Sequence, residues 1–387
     1  MKKLVLVGLL GAVLTGCGGG GGGESNDNSS GNNERLPSAA QGTIEHVAGN
    51  TITVNGHQYD VASVSYRAGD NNVALDAAQL SPGMLVALST NPTRAAGQHV
   101  QLEPTITGVV TAINHSLGTL TVNGIDLKFA NISTEIDVND WVMVSSLPTA
   151  TDGYKVLSVV KFENDILEQH FEIEGTISNL NTNNLSFNLG AALTVFYNEN
   201  SVEGGELSNG LWVEVEGEAS NSTIIATNVE IETYDNIDND TEIEGLLTWV
   251  SNDKSAFELN YRGRFNVTSQ TRFEDGNKNH LIQGTMVEVT TGANNIALEI
   301  EFDNDDNDTG DWSENDIELI GHVSPLEIDG SFTINSKTVF TNKYTEFDDG
   351  LTDFDSIDGR VVEVEAYKVN GQYIASEIEL YEADLDD

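Results

Sequence analysis

The chain has 387 residues, of which 62 are acidic and 17 basic, for a formal charge of −45. That balance argues against nucleic acid and anionic membrane surfaces as partners, because both are bound through Lys and Arg. A lone cysteine excludes any disulfide within the chain, and 39% hydrophobic residues supply several modest cores.

In chain order, Met1-Lys2-Lys3 is followed by an apolar run from Leu4 to Leu14 and then Thr15-Gly16-Cys17. A positive start, a short apolar stretch and a small-residue cleavage site predict a secretory signal peptide over residues 1–16. Leu14-Thr15-Gly16-Cys17 closely resembles the lipobox of bacterial lipoproteins. The resemblance implies cleavage before Cys17 and lipidation of Cys17, and therefore a membrane partner reached through that lipid. Several acyl chains on one residue hold stably, since each buried CH₂ contributes about 0.8 kcal/mol. Gly18 follows rather than Asp, and by resemblance to lipoprotein sorting in two-membrane bacteria this implies the cell envelope, at the outer membrane, as the expected address. Residues 17–41 then form a lipidated cysteine and a Gly/Ser/Asn-rich linker with almost nothing apolar before Leu36. Such a tether reaches about 25–30 Å on average.

From residue 42 the chain repeats. A glycine opening a strand recurs as Gly42-Thr43-Ile44, Gly108-Val109-Val110, Gly175-Thr176-Ile177, Gly245-Leu246-Leu247 and Gly321-His322-Val323. A second mark, a turn residue before an alternating strand, appears at Gly83, Asn139, Gly210, Gly284 and Gly359. Each unit closes on a third alternating strand, such as Val229-Glu230-Ile231-Glu232. Asn55-Gly56 and Asn123-Gly124 read as tight hairpin turns. Period-two alternation sends the valines of Trp212–Glu216 one way and its Trp and Glu residues the other, so one face is expected to be buried and one wet. No stretch has helical periodicity.

The expected fold is all-β: tandem small antiparallel β-barrels of about six strands each, strung as beads. The units are bounded at 42–104, 105–168, 172–234, 242–303 and 317–383, with an acidic linker over 304–316. The order of these marks resembles the repeats of the domain of unknown function numbered 5666, over about residues 42–382. The resemblance implies small barrels similar to the oligonucleotide/oligosaccharide-binding fold, and it implies no activity.

Two places are candidates for chemistry. The linker from Asp305 to Asp316 has the residue pattern of a calcium loop, with Asp305, Asn307, Thr309 and Asp316 as candidate ligands and Gly310 at the turn. Trp312 and the short Asp316 side chain depart from that pattern, and the alternative is a solvated acidic spacer. Trp141 and Trp212 hold matching positions opposite the valines, where exposed rings would stack on a sugar or peptide. The alternative there is a packing contact between barrels. The seven histidines, at 46, 57, 99, 115, 170, 280 and 322, show no zinc-ligand spacing, and no nucleophile motif is present. The sequence therefore predicts a non-catalytic envelope lipoprotein that displays binding or scaffold modules to a polysaccharide or protein. It is not expected to be an enzyme or to need a cofactor, calcium apart. The alternatives are a calcium-stiffened adhesion module and, behind it, an enzyme of unrecognised type.

Overall fold

The structure is a computed structural model describing residues 36–69, 71–89, 97–149, 153–163, 167, 170–190, 193–220, 223–303, 316–369 and 371–381. Among these there is no α-helix, only 3-10 turns between strands. The strands fall into five groups. Barrel one comprises β1 (Ala39–Ala48), β2 (Thr51–Val54), β3 (His57–Ala68), β4 (Asn71–Leu75), β5 (Leu85–Ser89) and β6 (Gln98–Leu102). Barrel two comprises β7 (Ile106–Asn114), β8 (Thr119–Val122), β9 (Ile125–Lys128), β10 (Trp141–Pro148) and β11 (Tyr154–Lys161). Barrel three comprises β12 (Glu172–Asn181), β13 (Ser186–Leu189), β14 (Leu193–Phe196), β15 (Val202–Glu203), β16 (Trp212–Ser220) and β17 (Thr223–Ile231). Barrel four comprises β18 (Thr241–Val250), β19 (Ala256–Leu259), β20 (Gly263–Asn266), β21 (Arg272–Glu274), β22 (Met286–Thr291) and β23 (Ala297–Phe302). Barrel five comprises β24 (Asp316–His322), β25 (Ser331–Ile334), β26 (Lys337–Phe340), β27 (Glu346–Phe347), β28 (Val361–Val369) and β29 (Gln372–Leu380).

One closed ring defines the plan. In barrel one, β1 pairs antiparallel with both β2 and β5, β2 with β3, β3 parallel with β6, and β6 with β5. This is the five-strand order of the oligonucleotide/oligosaccharide-binding barrel, and closing the ring leaves no edge. Barrel three repeats it through β12, β13, β14, β17 and β16. Barrel four closes through a bridge from Asn266 to Ile296.

The repeat's two sequence marks each have a physical cause. The first glycine lies under a hairpin asparagine that folds back on the first strand. Asn260 accepts from Leu246 N–H at 2.8 Å and donates to the Glu244 carbonyl at 3.4 Å. Asn123 does the same with Val109 and Thr107. A Cβ on Gly42 would sit 2.0 Å from Asn55 Oδ1 and one on Gly245 2.5 Å from Asn260 Nδ2, so only glycine fits. Barrel three lacks the asparagine, having Gly190 at that place. There the Tyr154 hydroxyl, reaching over from barrel two, donates to the Glu174 carbonyl at 2.7 Å. The second mark is a left-handed residue whose N–H caps the first strand. Gly83, Gly210 and Gly284 have φ of 83–86°, and their N–H groups donate to Ile44, Ile177 and Leu247. Asn139 takes φ 78° and donates to Val110 at 2.8 Å, a conformation that Asn tolerates better than other side-chain-bearing residues.

The expected all-β tandem barrels of about six strands are present, but they are not separate beads. β1 continues into barrel four by pairing parallel with β18, and β7 pairs antiparallel with β12. Barrels two and three share one apolar core, running from Ile106 and Val144 through Ile173, Phe187 and Val213. A separate junction core gathers Leu147, Trp212, Leu246, Tyr261, Met286 and Tyr367 from barrels two to five. The outer faces of the strands, expected to be wet, are apolar enough at these places to bury against a neighbour.

Candidate functional site

The alternation that sends valines inward sends glutamates outward, and strand register places them side by side. Glu174, Glu214 and Glu230 stand directly opposite one another across β12, β16 and β17. Glu244, Glu288 and Glu301 do so across β18, β22 and β23, and Glu318, Glu365 and Glu377 across β24, β28 and β29. Like charges directly opposite destabilise a sheet. In barrel three this ladder is not on a wet face, as the sequence led one to expect. Glu174 and Glu230 are each 5% exposed, because barrels one and four close over them.

Between barrels one, three and four lies a cleft of about 990 Å³, mouth included, lined by Glu103, Glu172, Glu214, Glu230, Glu232 and Arg262 among others. A smaller pocket shares Glu103 and Arg262 with it and adds Glu174 and Trp212. Arg262 is the cation at the centre. It pairs with Glu174 and lies over the Trp212 ring, 5.6 Å from its centroid. Arg67 also lines the cleft, but two guanidinium groups do not balance so many carboxylates, and the burial of several raises their affinity for protons. Burial, then Glu174 and Glu214, push Glu103 up to about 7. Burial drives Glu232 well above the usual carboxylate range, with Arg262 opposing. In barrel four, burial and then Glu242 push Glu288 up to about 9.

Cys17 and the candidate calcium ligands Asp305, Asn307 and Thr309 lie outside the described residues. The backbone of Asp316 opens β24, paired with Tyr367. The two tryptophans are not exposed. Trp141 is 3% exposed and packs into the core of barrel one, its indole N–H donating to the His170 carbonyl at 2.9 Å. Trp212 is 6% exposed, stacks on Tyr261 at 6.3 Å, and donates to Glu174 at 3.1 Å. Both seal junctions between barrels, and Trp212 also lines the smaller cavity.

One further group was missed by sequence reasoning. Among the described residues, His170, Glu172 and Glu216 bring three ligand atoms within 4.8 Å of one another. The available signal was His170-x-Glu172 at the start of a strand, which puts both side chains on one side of an extended chain. Finding Glu216 opposite required the register of β16.

These features define a protein of packed tandem barrels of the oligonucleotide/oligosaccharide-binding type, built around an acidic junction. The chain belongs to the family described as Domain of unknown function (DUF5666), which matches residues 41–98, 174–230, 244–301 and 321–379. Barrel two lies outside these matches although its strands follow much of the same plan. Comparison with curated proteins found no match.

Proposed function

We propose that this protein is a non-catalytic envelope lipoprotein, anchored through Cys17, whose packed barrels present an acidic cleft to a cationic stretch of a polymer or protein. The observation that carries the reading is the cleft itself. Carboxylates from barrels one and three line it together with only two guanidinium groups, those of Arg67 and Arg262, and it is open to solvent. A ligand bearing amines or guanidinium groups relieves repulsion that the free protein meets by holding protons. The linker before Leu36 sets the barrels off from the lipid, and the charge of −45 keeps them from neighbouring anionic surfaces.

The test is calorimetric titration of the full chain with hexalysine, with neutral dextran as comparison. The expected result is saturable binding of hexalysine, weakened at least tenfold by Glu103→Gln with Glu232→Gln. Binding that ignores both substitutions, or none at all, refutes the cleft as the binding place. Separately, Cys17→Ser is expected to move the protein from the membrane fraction to the soluble fraction. Retention at the membrane refutes the anchor.

A further inference from the structure

We infer that His170, Glu172 and Glu216 form a binding site for one divalent transition-metal ion, zinc by its donor set, at the junction of barrels one, two and three. This inference does not rest on the ligand proposed for the cleft.

Two of the three residues already have the spacing that such an ion requires, and the third lies close by. The His170 Nε2 and Glu172 Oε2 atoms are 3.2 Å apart, and a Glu216 oxygen completes a triangle within 4.8 Å. Zinc ligands at about 2.0–2.1 Å from the ion lie about 3.4 Å from one another, so the His–Glu edge is already in place and only Glu216 has to close in. Glu172 and Glu216 are direct cross-strand partners on β12 and β16, an arrangement that costs stability unless a cation lies between them.

Each donor is also held from outside, as ligands in metal sites commonly are. The Trp141 indole N–H fixes the His170 backbone at 2.9 Å, and the Tyr66 ring lies edge-on to the imidazole at 5.7 Å. The Tyr66 hydroxyl donates to Glu172 Oε2 at 2.9 Å. Gly69 N–H donates to Glu216 Oε1 at 3.1 Å. Tyr66 and Gly69 belong to barrel one, Trp141 to barrel two, Glu172 and Glu216 to barrel three, and His170 to the segment leading into β12. An ion here therefore ties three barrels through one point. The donor set selects among ions: one imidazole with two carboxylates suits zinc, manganese or iron, whereas calcium seeks six to eight oxygens. Glu172 also lines the cleft, so a fourth ligand can reach the ion from that side.

The experiment uses the full chain, stripped with chelator and titrated with zinc alone by calorimetry, then with cobalt followed by visible absorption. The expected outcome is one equivalent bound, intense cobalt bands of low-coordinate nitrogen–oxygen ligation, and a raised melting temperature. Glu216→Gln, at a half-buried position, and His170→Gln should each weaken binding at least 100-fold. Tyr66→Phe, which keeps all three ligands, should weaken it about tenfold. Failure to bind zinc at micromolar concentrations overturns the inference. So does one-to-one binding that survives Glu216→Gln and is lost instead on Asp305→Ala, which would place the metal in the acidic linker.

Discussion

Replacing Glu288 by glutamine tests how the protein copes with its own charge. Glu288 sits between Glu244 and Glu301 in the ladder of barrel four, and its carboxyl is pushed from its ordinary 4.5 to about 9. Between those values the folded protein holds a proton that the unfolded chain has lost. Stability from this group is therefore fully present below pH 4.5 and is lost as pH rises toward 9, at a ceiling of about 1.4 kcal/mol per pH unit. Glutamine keeps the shape and has no proton to lose. From pH 5 to pH 8 its advantage over glutamate should grow by at most about 4 kcal/mol, and by about 2 kcal/mol once solvent reaching the partly exposed side chain is allowed for. Urea unfolding of both proteins at pH 5, 6, 7 and 8, followed by circular dichroism, measures that difference. A gap that stays constant with pH, or narrows as pH rises, refutes the reasoning.

Arg262→Met leaves Glu174 buried without its cation and should lower stability by about 3–5 kcal/mol, read as a fall in melting temperature. Gly42→Ala drives a Cβ into Asn55, and Asn55→Gly should restore part of the lost stability in the double variant, as Gly190 accompanies Gly175 in barrel three. Tyr154→Phe should cost about 1–2 kcal/mol by leaving the Glu174 carbonyl without its donor. Added sodium chloride should raise the melting temperature by screening the exposed acidic surface, and an unchanged or falling midpoint between low and seawater-like salt refutes that expectation.

What was legible in the sequence was local. The Gly-strand mark, the Asn-Gly turns at 55–56 and 123–124, and the alternation of valine with glutamate each follow from backbone sterics or period-two burial within a few residues. They gave the barrels and their strand count. What was not legible depends on pairing between units. The contact of Gln41 with Ile243 spans two hundred residues, and nothing in either strand marks it. For the same reason Trp141 and Trp212 looked exposed and the Glu174 ladder looked wet. Alternation tells which face is outward from a barrel, but not whether another barrel covers it. The His170 group stayed hidden because its third member lies on the partner strand.

The parallel pairing of β1 with β18 bears on mechanics. Ala39, Ala40 and Gln41 run alongside Thr241, Glu242 and Ile243, and Ser38 N–H extends the seam to the Asp240 carbonyl at 2.8 Å. Tension applied to the chain ahead of Leu36 pulls β1 backward, while a load carried by barrel five pulls β18 forward. The hydrogen bonds between them are then strained together in shear rather than opened one after another. The seam thus places its resistance at the point where the described strands begin.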